Sequence, residues 1–144
     1  MREDSSFRPK VLTLSLMSFE LDDKQFENIV ADAIGNIPKR YQERLDNVAF
    51  LIEDEPTPEQ RIKLNLYPNE TLFGLYEGLP LPRRGGVLKL LPDKITIFKN
   101  PVLSVCQNID DVKRQVGKTL WHEVAHFYGL DHDKIHALEN KHIK

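Results

Sequence analysis

Apolar residues recur at helical spacing from Phe26 through Ile29, Val30 and Ala33 to Ile34, which predicts a helix that opens at Asp22 and closes at Gly35. Asp22 followed three residues later by Gln25 is a capping pair, in which each side chain satisfies a backbone N–H of the first turn. Pro38 opens a short polar helix that ends near Asp46. Val48, Phe50 and Ile52 alternate with Ala49 and Leu51 in a run apolar on both faces, which predicts a buried strand over 48–52. Thr57-Pro58-Glu59-Gln60 combines an N-cap, a proline at the first helical position and a third-position Gln, so a brief helix is expected to about Asn65. Leu72, Phe73, Leu75 and Tyr76 predict a second strand. The segment EGLPLPRRGG that follows resists regular structure and is placed to flank a cleft. Lys94 to Phe98 reads as a β-branched and aromatic strand, and Val102 to Val105 as a single helical turn.

The last long pattern is the strongest. Asn108 is a good N-cap, Asp110 and Asp111 favour the positive end of a helix, and Val112, Val116, Leu120 and Phe127 form one apolar stripe. Gly129 ends it, because glycine reaches the left-handed conformation without steric cost.

Composition adds bounds. A chain of 144 residues that is 40% hydrophobic and 29% charged suits one compact domain with its own core. A net charge of −2, with Lys and Arg scattered, offers no electrostatic footprint for nucleic acid, and Lys141, His142 and Lys144 form only a small solvated basic end. Cys106 is the single cysteine, which rules out an internal disulfide and suits a reducing compartment. The early apolar run Val11 to Met17 is interrupted by Thr13 and Ser15, is too short to span a membrane, and lacks a small-residue cleavage site before acidic Glu20, Asp22 and Asp23. A cytoplasmic location is therefore expected.

The chemistry concentrates in HEVAHFYGLDH, from His122 to His132. On a helix, residues four apart project from one face, so His122 and His126 can grip one metal ion. Glu123 points about 100° away from His122, too far round to share the ion but close enough to act as a general base on a water there. The turn at Gly129 can bring His132 back as a third ligand, with Asp131, Asp133 and His136 as rivals. Three protein ligands leave a coordination position open, the mark of a catalytic zinc; imidazoles also accept cobalt, nickel or copper.

Taken together, NVAFLIEDEPTPEQ (47–60), LFGLYEGLPLPRRG (72–85), LPDKITIFKNP (91–101) and HEVAHFYGLDH resemble the small bacterial zincin-like metallopeptidase family, over roughly Phe19 to Leu138. The resemblance implies an α+β, minimal zincin-like fold: a small mixed β-sheet packed against helices, with the zinc motif on a long helix near the C-terminus. It also implies a domain over 19–144 preceded by an N-terminal extension, 1–18, with Met17-Ser18-Phe19-Glu20 resembling a natural start. Many family members carry an acidic residue where this chain has His132, so the motif reads closer to the metzincin pattern His-Glu-x-x-His-x-x-Gly-x-x-His. The methionine turn of a true metzincin is missing, since Met1 and Met17 both lie upstream.

The activity so implied is zinc-dependent hydrolysis of peptide bonds. His122, His126 and His132 hold Zn2+, Glu123 is the general base, and a short peptide or flexible protein segment is the substrate. Tyr76, Arg83, Arg84, Tyr128 and His136 are candidate oxyanion donors, and Glu77 a candidate substrate contact, against the plainer reading of each as structural. The rival expectations are a zinc-dependent peptide- or partner-binding module without turnover, and a zinc-stabilised scaffold that melts on chelation. The strand near Leu72 to Tyr76, if it forms a sheet edge, is suited to pair with an extended substrate.

Overall fold

A computed structural model describes residues 21–68, 70–80, 92–130, 133, 134 and 137. The expected extension, 1–18, lies outside the described residues. The described elements are α1 (Asp23–Gly35), α2 (Lys39–Gln42), β1 (Val48–Glu53), α3 (Pro58–Lys63), β2 (Gly74–Glu77), β3 (Asp93–Phe98), α4 (Lys99–Ser104) and α5 (Ile109–Phe127). They form the expected α+β architecture, with a three-stranded mixed sheet in the order β1-β3-β2. β1 runs parallel to β3, Val48 opposite Asp93; β2 runs antiparallel to it, Gly74 opposite Ile97.

Local chemistry explains the helix ends. Asp22 accepts from the Gln25 N–H at 2.7 Å while the Gln25 side chain accepts from the Asp22 N–H at 3.1 Å. Thr57 and Gln60 repeat the arrangement at the start of α3. Each reciprocal pair satisfies two donors that the first helical turn cannot pair internally. Helix α2 is shorter than the expected span to Asp46: after Gln42 the chain turns through Leu45, whose N–H donates to the Gln42 carbonyl. The turn at 102–105 is the end of a longer helix, α4, that begins at Lys99.

The sheet corrects the strand reading. Among the described residues β1 is an edge strand with only Val48 buried, and Leu51 is 38% exposed. The central strand is β3, where Ile95, Thr96, Ile97 and Phe98 are all buried. The second strand starts at Gly74, two residues later than expected, and Glu77 closes it instead of lying in a loop.

Helix α5 packs on α1 on one side and on β2 and β3 on another. Phe26 and Val30 of α1, Ile95 and Ile97 of β3, and Val112, Val116, Leu120, Trp121, Val124 and Phe127 of α5 share this core. The apolar stripe read from α5 is therefore buried, and broader than four residues.

Candidate metal centre

Helix α5 carries the centre, and its two ends are held independently. The Asn108 side-chain oxygen accepts from the Asp111 N–H at 2.8 Å. At the other end Gly129, at φ 76°, turns the chain. The Gly129 N–H donates to His126 O at 2.9 Å and the Leu130 N–H to Ala125 O at 3.0 Å. This paired closure is a Schellman motif. It redirects the chain three residues after His126, as the sequence led us to expect.

His122 and His126 are half-buried on one face of α5, with ring centroids 4.7 Å apart and planes at 76°. Two imidazoles sharing one tetrahedral zinc, with bonds of about 2.0–2.1 Å, hold their centroids about 5 Å apart. The pair fits such an ion. Among the described residues no third His, Cys, Asp or Glu completes a metal-holding group with them. Of the expected third ligands, His132, Asp131 and His136 lie outside the described residues, and Asp133 is exposed.

Glu123 lies between the histidines in sequence but is only 8% exposed. Its Oε1 accepts the Tyr76 backbone N–H at 2.9 Å. Burial pushes the carboxyl up to about 7, with the Tyr76 N–H pulling the other way. Strand register explains this donor. The Phe98 N–H donates to the Phe73 carbonyl, so in the antiparallel ladder Phe73, Leu75 and Glu77 turn their backbone groups toward β3, while Gly74 and Tyr76 turn theirs to the outer edge.

That edge approaches α5 closely because residue 74 has no side chain. A Cβ there would sit 2.6 Å from Thr119 Cγ2, 3.1 Å from the Thr96 carbonyl oxygen and 3.4 Å from Glu123 Cγ. Neither Gly74 nor the Tyr76 backbone figured among the sequence candidates. The available signal was a lone glycine inside the apolar run LFGLY, which marks a close backbone approach.

Several other candidates have structural duties. The Tyr76 hydroxyl donates to buried Asp93 Oδ2 at 2.7 Å, and the Tyr128 hydroxyl to the Tyr41 carbonyl at 2.7 Å, so neither proton is turned to the groove. Glu77 Oε1 accepts from Gln60 Nε2 at 3.3 Å. Cys106 is buried, and burial, reinforced by Asp111, raises its thiol pKa, the opposite of what a reactive thiolate needs. Arg83 and Arg84 lie outside the described residues.

His122, Glu123 and His126 line an open hollow of about 490 Å³ together with Leu72, Gly74 and Tyr76. A second hollow of about 380 Å³ shares Leu72, Gly74, His122 and Glu123 and continues along α5 toward Gln115. The two form one groove between α5 and the β2 edge. A half-buried pair of imidazoles beside a buried, oriented carboxyl is a donor set able to hold a metal and move a proton next to it.

Residues 45–142 match the family described as zincin-like metallopeptidase, a span that includes the whole sheet and α5. A conserved hypothetical protein from Thermus thermophilus has a similar solved structure, with a TM-score of 0.50 and 18% identity over 83% of this chain and 99% of that one. At that identity the likeness concerns the fold. No curated protein matches the chain.

Proposed function

The chain belongs to the zincin-like metallopeptidase family, and from that premise we propose that it is a zinc-dependent peptidase with Glu123 as its general base. The observation that carries the reading is the Glu123 carboxyl, buried beside the His122–His126 pair, oriented by a backbone N–H and open to a groove. His122 and His126, with His132 as third donor, would hold the metal. When bound, zinc supplies Lewis acidity, which makes a water nucleophilic near neutral pH and polarises a carbonyl.

The chain's own residues supply the rest. The Tyr76 N–H engages Glu123 Oε1, which leaves Oε2 to take the proton of the attacking water and return it to the departing amine. In the metal-free protein burial brings this carboxyl up to about 7, and a cation held by the neighbouring histidines would favour its ionised, proton-accepting form. An extended peptide is the substrate form that suits the outer edge of β2, which has no strand partner among the described residues and where Gly74 offers main-chain groups for pairing.

Substituting Glu123→Gln keeps the shape and removes the proton acceptor. The variant is expected to bind one equivalent of zinc while peptide hydrolysis falls by about 10²–10⁴-fold. Unchanged turnover would overturn the mechanism, and His126→Ala should lose zinc as well as activity.

A further inference from the structure

The groove is largely apolar on both sides of Glu123 and gains a lysine on one of them. Beside His126 its wall is aliphatic, made by Leu64, Leu66, Leu72, Leu75 and Pro80. Toward the N-terminal half of α5 it is lined by Thr71, Phe73, Gln115, Lys118 and Thr119, so that a lysine joins the lining there. Lys118 is exposed and, apart from Glu123 and His122, is the ionisable side chain of that lining among the described residues. Leu72, Gly74, His122 and Glu123 belong to both halves, so a bond held at Glu123 has one neighbour in each.

The aliphatic wall is preformed. Arg61 Nη2 donates to the carbonyls of Tyr67 at 2.9 Å, Pro68 at 3.3 Å and Glu70 at 2.6 Å. The Leu66 N–H donates to the Arg61 carbonyl at 3.0 Å, and Asn65 takes the left-handed conformation at φ 56° that turns the chain between Leu64 and Leu66. Leu64 is nonetheless 40% exposed, an aliphatic surface that a seated apolar side chain would cover. In the other half Gln115 Nε2 donates to Thr119 Oγ1 at 2.9 Å, which fixes these two side chains of the lining.

Strand direction assigns the halves. A peptide pairing antiparallel to β2, the stronger of the two ladder types, runs opposite to Gly74→Glu77. Its N-terminal half then lies beside Tyr76 and Pro80, and its C-terminal half beside Thr71 and Lys118. Resting on the peptidase reading, we infer that the protein selects peptides with a bulky apolar side chain just before the cleaved bond and an acidic one just after it.

The test is a randomised library of short unstructured peptides exposed to the zinc-loaded full-length chain, with cleavage sites read by mass spectrometry. The same library is enriched on zinc-loaded Glu123→Gln protein, which reads the subsites without turnover. Leu, Phe or Met should be favoured before the bond by about tenfold or more, the range a hydrophobic pocket commands. Asp or Glu should be favoured after it by up to about fivefold, the reach of an exposed ion pair. Leu64→Glu should erase the first preference, and Lys118→Glu should turn the second toward Lys and Arg; both positions are exposed, so the fold should tolerate the changes. Cleavage with no side-chain preference, or with the apolar residue after the bond, would overturn the subsite assignment and leave the peptidase reading standing. Absence of cleavage beside the expected enrichment on Glu123→Gln would do the reverse, and absence of both would overturn the two together.

Discussion

Glu123 is buried by its packing and oriented by one backbone donor, and both facts have measurable consequences. In metal-free protein its carboxyl stands at about 7 against an ordinary 4.5. A folded-state pKa raised above the unfolded value means that the folded chain binds more protons between these limits. The contribution to stability is thus fully present below pH 4.5, is lost as pH rises, and is gone above 7. At about 1.4 kcal/mol per unit this amounts to roughly 3 kcal/mol. Urea melts of the chelated protein from pH 4.5 to 8 should show the decline, and Glu123→Gln should flatten it; an unchanged slope in the variant would assign the effect elsewhere. Gly74 acts through space alone. Gly74→Ala forces a methyl against Thr119 and the Thr96 carbonyl, and should cost about 1–3 kcal/mol and lower hydrolysis by displacing Glu123. Adding Thr119→Ser, which removes the nearest methyl, should recover part of both, as followed by melting and by peptide turnover.

Among the elements, α5 joins three tasks along one axis. Its core-facing side anchors it, the His122–His126 side lines the groove, and its C-terminal closure directs the chain that follows. The closure depends on a left-handed residue, which costs other L-amino acids about 1–2 kcal/mol. Gly129→Ala should therefore reduce stability by about that amount and, if His132 is the third ligand, weaken zinc binding in competition with a chromogenic chelator. Gly129→Asn should be milder, because asparagine tolerates this conformation better. Normal zinc affinity in a destabilised Gly129→Ala protein would separate the turn from the metal. β2 is the complementary element. Its inward backbone groups build the sheet, and its outward ones serve Glu123 and the groove, which a strand enclosed on both sides could not do.

At the scale of the whole molecule, the described core is apolar and continuous from α1 through α5 to β3, and neither His122 nor His126 belongs to it. Phe26, Trp121, Phe127 and Ile95 are each no more than 1% exposed. A metal held at the groove adds stability by mass action, since it binds the folded state alone. Chelation is accordingly expected to lower Tm by an amount set by free zinc, while the transition seen by calorimetry stays single and cooperative. Collapse to a non-cooperative melt would instead identify zinc as the scaffold's staple. Among the described residues no helix is long and apolar enough to cross a membrane.

What the sequence determined by itself was everything governed by contacts a few residues apart. The alignment of His122 with His126, the caps at Asp22, Thr57 and Asn108, and the stop at Gly129 follow from helical geometry, which repeats every turn and needs no knowledge of the rest of the chain. The tertiary structure decided which strand is central, because alternation tells which faces are apolar and not which neighbours cover them. Val48 to Ile52 reads as the buried strand and Lys94 to Phe98 only as a β-branched and aromatic one, yet among the described residues it is the second that is enclosed. It also decided that the Tyr76 and Tyr128 hydroxyls are committed to Asp93 and Tyr41, partners 17 and 87 residues away. Least legible of all was the hydrogen bond that orients Glu123. Its donor is a main-chain N–H 47 residues distant, and almost every residue carries one, so no side-chain pattern distinguishes Tyr76 from its neighbours until sheet register and the bare Cα of Gly74 bring that edge against α5.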